Sequence, residues 1–334
     1  MNRSFILASL FLTLGAGCAS QGTDVPMEAD VTTAVEEGTA IQEIAIGEPS
    51  PAAPAGNGPQ NHFLFFATSV DGTAWNLGDE AIAAQASVPD LVALTQDLGS
   101  HRAGTLITYF VDASDFAQGG EERIGFLSST DNGKTWSARS VAKIDGLPDG
   151  VVAVDPSVVQ LPDDGRLRLY FYDIAEGRGQ EIGSAAAQST IYSAVSSDGE
   201  TFAFEGKVYR RSGITDPEVV LYNDTWYLFA AAQVEGGVDV AVSQDGTSFD
   251  DRGTVKLNGI PGSVVDGNQL KVFGCGRSGI TSSTMQGYDG TEFGSSRLLF
   301  EAPVCDPDPA ILSDGTYAMV MKGFAASLNA PTNR

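Results

Sequence analysis

The chain has 334 residues, 42% of them hydrophobic, and a formal charge of −24. Residues 1–60 hold seven acids and one base, so the remainder carries 36 acids against 18 bases, or −18. That surplus excludes nucleic acid and anionic membrane surfaces as partners and leaves neutral or cationic ligands.

The N-terminus, MNRSFILASLFLTLGAGCAS, has one early positive charge at Arg3, an apolar run from Phe5 to Leu14, then small residues and Cys18. This is the pattern of a secretory leader, and the run is too short to span a membrane stably. Its Gly-Ala-Gly-Cys ending resembles a bacterial lipobox. The resemblance implies a signal peptide over residues 1–17, a lipid on Cys18 and a chain held to the cell envelope through that lipid alone. Ala19 after the cysteine is compatible with the outer membrane; an ordinary cleaved signal is the alternative. Residues 18–60, rich in Ala, Pro, Glu, Gly and Thr and poor in aromatics, read as a flexible linker.

From residue 61 to 334 the pattern changes. Short β-branched and aromatic runs such as HFLFFATS, TLITYFVD, RLRLYFYD, TWYLFAAA and YAMVMKGF alternate with turn residues, which predicts an all-β domain. A turn of one type recurs five times: SVDGTAW from Ser69, SSTDNGKTW from Ser128, SSDGETF from Ser196, SQDGTSF from Ser243 and YDGTEF from Tyr288. A longer unit surrounds it, beginning at Val88, Val154, Thr215, Ile260 and Cys305. Each unit opens with a strand, a polar turn and a second strand, and the first four continue with a third strand, an Asp-Gly turn and a fourth. The fifth unit stops after its second strand, and HFLFFATSVDGTAW near residue 62 supplies the missing pair. The prediction is a five-bladed propeller of four-stranded antiparallel blades, closed by strands from both ends of the domain.

The recurring turn is explained by local chemistry: short polar side chains bond nearby backbone and Gly accepts positive φ. It resembles the Asp-box of sialidases and related propellers, which lies on the outer turn between third and fourth strands. The trailing aromatics, Trp75, Trp136, Phe202, Phe249 and Phe293, are expected to pack into the blade, so the turns build the fold.

Chemistry is expected at the other face, where first strands begin. Their first inner position reads Val88, Asp155, Asp216, Ile260, Asp306, and the position two later reads Asp90, Ser157, Glu218, Gly262, Asp308. Residues two apart share a face of a strand, so six carboxylates would meet at the axis. Crowded carboxylates raise one another's pKa values. His101 and Arg102 fall on the opposite face and read as turn residues.

VDPSVVQLPDDGRLRLYFY looks like the second-blade segment of the five-bladed glycosidases of the arabinanase, xylosidase and invertase-like superfamily. That resemblance implies O-glycosyl hydrolysis or binding of a carbohydrate at the axial mouth. It implies Asp90 as base or nucleophile, Asp155 as helper, and Glu218 or Asp216 as general acid. Blade three reads TDPEVV where the family commonly has Glu-Gly-Pro. Asp306 and Asp308 are candidate substrate ligands, as are Arg211 and Arg277 in loops near the same face, with Arg210 beside them. A non-catalytic glycan-binding module and a scaffold for protein partners stay open on the same fold.

Cys275 and Cys305 remain after Cys18, and an oxidising compartment favours a disulfide over two buried thiols. Both lie at the ligand face of neighbouring blades. No spacing demands a cofactor; a central Ca²⁺ held by the carboxylates is compatible with the oxygen-rich set.

Overall fold

The structure, a computed structural model, describes residues 58–176, 188–301 and 303–324. The expected leader, Cys18 and nearly all of the expected linker lie outside the described residues. Five antiparallel sheets follow one another along the chain. Blade 1 is Ala86–Ala93, Leu106–Asp112, Arg123–Ser129 and Ser140–Val141. Blade 2 is Ala153–Gln160, Leu167–Asp173, Gln188–Ser196 and Thr201–Ser212, with Lys143–Asp145 added in parallel on its outer edge. Blade 3 is Ile214–Tyr222, Thr225–Ala232, Val238–Ser243 and Asp250–Val255. Blade 4 is Pro261–Asp266, Gln269–Gly276 and Gly279–Gln286, whose outer edge carries two short strands, Glu292–Phe293 and Arg297–Glu301.

Blade 5 joins the two ends of the domain. Cys305–Ile311 and Tyr317–Phe324 supply its first two strands, and His62–Ser69 and Trp75–Ala84 its outer two. The seam runs from His62↔Phe324 to Ser69↔Tyr317 without a register shift. Each first strand packs against those of its two neighbours, from blade 1 round to blade 5 and back to blade 1. The ring is closed, which removes the open edges that an unclosed array of sheets would present.

The core is a set of five layers, one between each pair of neighbouring blades. Each layer takes one aromatic from an Asp-Gly turn. Phe202 enters the layer between blades 1 and 2, Phe249 that between blades 2 and 3, and Phe293 that between blades 3 and 4. Trp75 packs into the layer between blades 4 and 5, and Trp136 into that between blades 5 and 1.

In four of the turns a serine hydroxyl accepts from the glycine amide three or four residues on, at 2.9–3.0 Å: Ser69 from Gly72, Ser129 from Gly133, Ser196 from Gly199 and Ser243 from Gly246. The turn aspartate then accepts from the amides that follow, as Asp245 does from Thr247 and Ser248. In the fourth blade Gly287 stands at the serine position, and Asp289 accepts from Thr291 alone. Tyrosines of the preceding blade close the joint: Tyr109 donates to the Gly199 carbonyl at 2.7 Å and Tyr170 to that of Gly246 at 2.8 Å. Gly246 has φ +73°, and a Cβ there would stand 2.8 Å from both Trp226 and the Tyr170 hydroxyl. Glycine is therefore required twice over, by backbone conformation and by space.

Candidate functional site at the axial mouth

The same backbone irregularity occurs at the start of all five first strands. Val88, Asp155, Asp216, Ile260 and Asp306 have φ between +45° and +54°, and each is followed by proline. In blades 1, 2, 3 and 5 the pairing slips at this point, the mark of a β-bulge. Proline suits it, because the unpaired residue of a bulge needs no amide for the ladder. Positive φ is uncommon for Asp and a genuine outlier for β-branched Val88 and Ile260; such strain costs on the order of 1–3 kcal/mol per residue. Five repetitions at one ring of positions mark a region whose geometry is held against local preference.

The bulges sort the expected residues into two tiers. At the mouth stand Val88, Asp155, Asp216, Ile260 and Asp306. Asp155 and Asp216 are half-buried, whereas Asp306 is 3% exposed and ion-paired with Lys322 at 2.6 Å. Two residues deeper stand Asp90, Ser157, Glu218, Gly262 and Asp308. Asp90, Glu218 and Asp308 are 5%, 6% and 5% exposed, and one oxygen from each lies within 4.8 Å of the others. Gly262 makes this closure possible: a Cβ there would lie 1.9 Å from the Pro307 carbonyl and 3.1 Å from an Asp308 oxygen. A cavity of about 260 Å³, counted with the solvent it opens to, is lined by residues of both tiers, Asp216, Glu218, Asp306 and Asp308 among them.

The deep tier is held firmly. Ser263 Oγ donates to Glu218 Oε1 at 2.5 Å and Ser157 Oγ to Oε2 at 3.3 Å, while the Val219 amide donates to Ser157 Oγ at 2.9 Å. The Leu91 amide donates to Asp308 Oδ2. Burial pushes the Glu218 carboxyl up to about 8, against the two serine hydrogen bonds that favour its charged form. Burial, then the charge of Glu218, raises Asp90; burial, then Asp90 and Glu218, raises Asp308.

In the mouth tier, burial and then Asp306 push Asp216 up to about 6, and burial and then Asp216 raise Asp155. Burial alone would lower the Lys322 ammonium, but Asp306, Asp216 and Asp155 outweigh it and hold Lys322 above its usual range.

The expected arginines have other partners. Arg211 pairs with Asp239, with Asp251 at 2.9 Å and with Glu235 at 3.5 Å, and Asp239 also accepts from Tyr209 at 2.9 Å. This network joins blades 2 and 3. Arg210 pairs with Glu176. Arg277 is exposed at the turn between the second and third strands of blade 4. Arg102 pairs with Asp97 at 2.8 Å in the first hairpin of blade 1, where His101 also lies. Cys275 and Cys305 form a disulfide with Cα atoms 5.1 Å apart, joining blades 4 and 5 beside Asp306.

Lys322 and Ser263 escaped the sequence reading. Lys322 had a visible signal, a single cation inside the otherwise apolar YAMVMKGF. The X-Pro step also recurs in all five units, as Val-Pro, Asp-Pro, Asp-Pro, Ile-Pro and Asp-Pro, although only its three Asp-Pro copies draw notice as a carboxylate pattern.

No family model matches the chain, and no curated protein matches it. Solved structures do resemble it. The α-L-arabinanase of Penicillium chrysogenum complexed with arabinobiose aligns with a TM-score of 0.51 and 16% identity, over 78% of this chain and 85% of that one. The α-L-arabinofuranosidase of Fusarium graminearum, also solved with arabinobiose, aligns with a TM-score of 0.50 and 15% identity, over 77% and 84%. At such identity the likeness is one of fold: the chain is a five-bladed propeller of the kind seen in arabinanase and arabinofuranosidase.

Proposed function

We propose that the chain binds a carbohydrate at the axial mouth and hydrolyses a glycosidic bond there. The observation that carries this reading is the pair Asp155 and Asp216, half-buried on adjacent bulges at the open end of the axis. Glycoside hydrolysis uses two carboxyl groups, one to protonate the leaving oxygen and one to act on the anomeric carbon or on a water. Of the four residues expected to be catalytic, Asp155 and Asp216 are the two that reach the mouth. Asp90 and Glu218 lie beneath them and support the site from below. The likeness in fold to two proteins solved with arabinobiose makes a pentose-containing glycan the first substrate to try.

A non-catalytic glycan-binding propeller is the second reading. It is favoured by Val88 and Ile260, which put apolar side chains at two of the five mouth positions. Incubation with arabinose-, xylose-, galactose- and fructose-based glycans separates the two. Sugar release by the parent and not by Asp155→Ala supports hydrolysis. Retention of a glycan without release supports the binding module, and neither release nor retention sinks both.

The lipobox-like segment supports a further proposal, that Cys18 carries a lipid and the propeller is held outside the cytoplasm. Replacement by serine is expected to move the chain from the membrane to the soluble fraction; unchanged fractionation refutes the anchor.

A further inference from the structure

Blades 2, 3 and 5 each set an aspartate at the mouth, Asp155, Asp216 and Asp306, but blade 1 sets Val88 there. A carboxylate of blade 1 that the proposed hydrolysis does not use stands close by. Glu122 directly precedes the third strand of that blade, and its neighbour Arg123 pairs with Asp112, which pairs in turn with Ala86, two residues from Val88. Side chains alternate along a strand. Ile124 and Phe126 enter the layer between blades 1 and 2, while Arg123 is ion-paired with Asp112 at 3.0 Å. Glu122 is in step with Ile124 and so faces blade 2. At that joint Val111 packs with Val154 and Tyr172, and Val88 lies against them; Asp155 follows Val154 in the chain. Two polar groups here are unmet. Glu122 is half-buried, and among the described residues none gives it a hydrogen bond or an ion pair. Tyr172 is 1% exposed, and its hydroxyl has no hydrogen-bond partner. Buried polar groups are nearly always satisfied. The charges link both groups to Asp155: burial, then Asp216, then Glu122 raise the Asp155 carboxyl, and burial chiefly raises the Tyr172 hydroxyl, with Asp155 adding to it.

Given a mouth that takes a carbohydrate, as proposed above, we propose that Glu122 contacts the glycan and selects neutral sugars against uronic acids. An ionised carboxylate only accepts hydrogen bonds. It therefore pairs with the hydroxyls of a neutral sugar and repels the carboxylate of a uronate, and Asp155 and Asp216 on the neighbouring blades add to that repulsion. Burial holds the Glu122 carboxyl above its usual range, because it has left water without gaining a donor. A sugar hydroxyl supplies that donor. Val88 beside it offers an apolar surface to the C–H face of a sugar ring, so the joint combines a few placed polar groups with an apolar lining, as ligand sites do. Glu122 thus supplies from a loop the mouth carboxylate that the first strand of blade 1 lacks.

The test titrates the full chain calorimetrically with neutral arabinose-, xylose- and galactose-based oligosaccharides and with galacturonate oligosaccharides, and records a melting temperature for each variant. The parent is expected to bind a neutral glycan and to bind the galacturonate one more weakly. Glu122→Gln keeps the shape and removes the charge. It is expected to weaken the neutral glycan on the order of 10-fold and to narrow the preference over galacturonate by a similar factor, with the melting temperature level or higher. Glu80→Gln, which changes an exposed carboxylate on the outer strand of blade 5, leaves both affinities unchanged. Unchanged affinities in Glu122→Gln, whether or not its melting temperature falls, overturn the inference and leave the mouth as a carbohydrate site. A parent that binds galacturonate as tightly as the neutral glycan overturns it too. A parent that binds no glycan at all refutes the carbohydrate reading of the mouth, and the role of Glu122 falls with it.

Discussion

The rim and the axis of this propeller both repeat five times, but they repeat different things. At the rim the residues recur: four of five turns keep Ser-x-Asp with a Gly one or two residues on, and each ends in Trp or Phe. At the axis the backbone recurs. The five positions that open the first strands share a φ near +50° and a following proline, while their side chains run Val, Asp, Asp, Ile, Asp. Recurrent side chains do recurrent work, and here that work is packing between blades. A recurrent backbone with divergent side chains is a frame that presents different groups to one point. That is the arrangement expected of a site, because strain is retained where it positions functional groups.

This contrast can be broken by mutation. If the axis carries function, Asp216→Asn should lower any established hydrolysis on the order of 10³-fold, equivalent to about 4 kcal/mol of barrier. Its melting temperature should stay level or rise, since a crowded carboxylate is removed. A large thermal loss with activity retained would invert the assignment. The rim predicts the opposite: Phe202→Ala removes a side chain buried between blades 1 and 2 and should destabilise by about 3–5 kcal/mol, read by denaturant unfolding.

Arg211→Ala separates a structural arginine from a ligand-binding one. Asp239, whose side chain is fully buried, would lose its cation, and breaking such a pair costs roughly 3 kcal/mol or more. Glycan affinity should not change. A normal melting temperature with lost affinity would return Arg211 to the site.

His62 sharpens the view of the seam. Its imidazole is buried against Ser87 at 3.0 Å, and burial, then Lys322, lower it from 6.5 to about 4. Between those values the unfolded chain holds more protons than the folded one, so stability is full above pH 6.5 and falls as pH drops towards 4. The acid loss should be on the order of 3 kcal/mol and should shrink in His62→Gln; an unchanged pH profile in that variant would contradict it. The smallest effect is expected from Ser243→Ala, which removes the hydroxyl that accepts from the Asp245 and Gly246 amides and donates to the Asp245 carboxylate and should destabilise by about 1–2 kcal/mol. The blade-four turn already lacks that serine.

The blade count, the closure by both ends and the position of the five turns were legible in the sequence. Each depends on local chemistry, Asp and Gly in turns and aromatics at strand ends, that reads out over a few residues. Lys143–Asp145 was not legible, because a three-residue parallel edge strand is specified by its neighbour Thr201–Ala203 and not by its own pattern. The six axial carboxylates could be aligned, but their depth could not. Position along a strand does not reveal that a bulge leaves Asp155 half-exposed while Asp90 is nearly sealed. For the same reason Arg211, read as a loop residue near the ligand face, turned out to lie on the outer strand of blade 2 within a network of carboxylates.

The most direct test places the two regions side by side. A glycan retained by the parent is titrated calorimetrically against the parent, Asp155→Ala and Ser243→Ala, with a melting temperature recorded for each. The account predicts that Asp155→Ala loses affinity on the order of 100-fold, about 2.7 kcal/mol, with its melting temperature intact, and that Ser243→Ala melts earlier with affinity intact. Undiminished binding by Asp155→Ala, or binding lost in Ser243→Ala, would contradict the assignment of function to the axis.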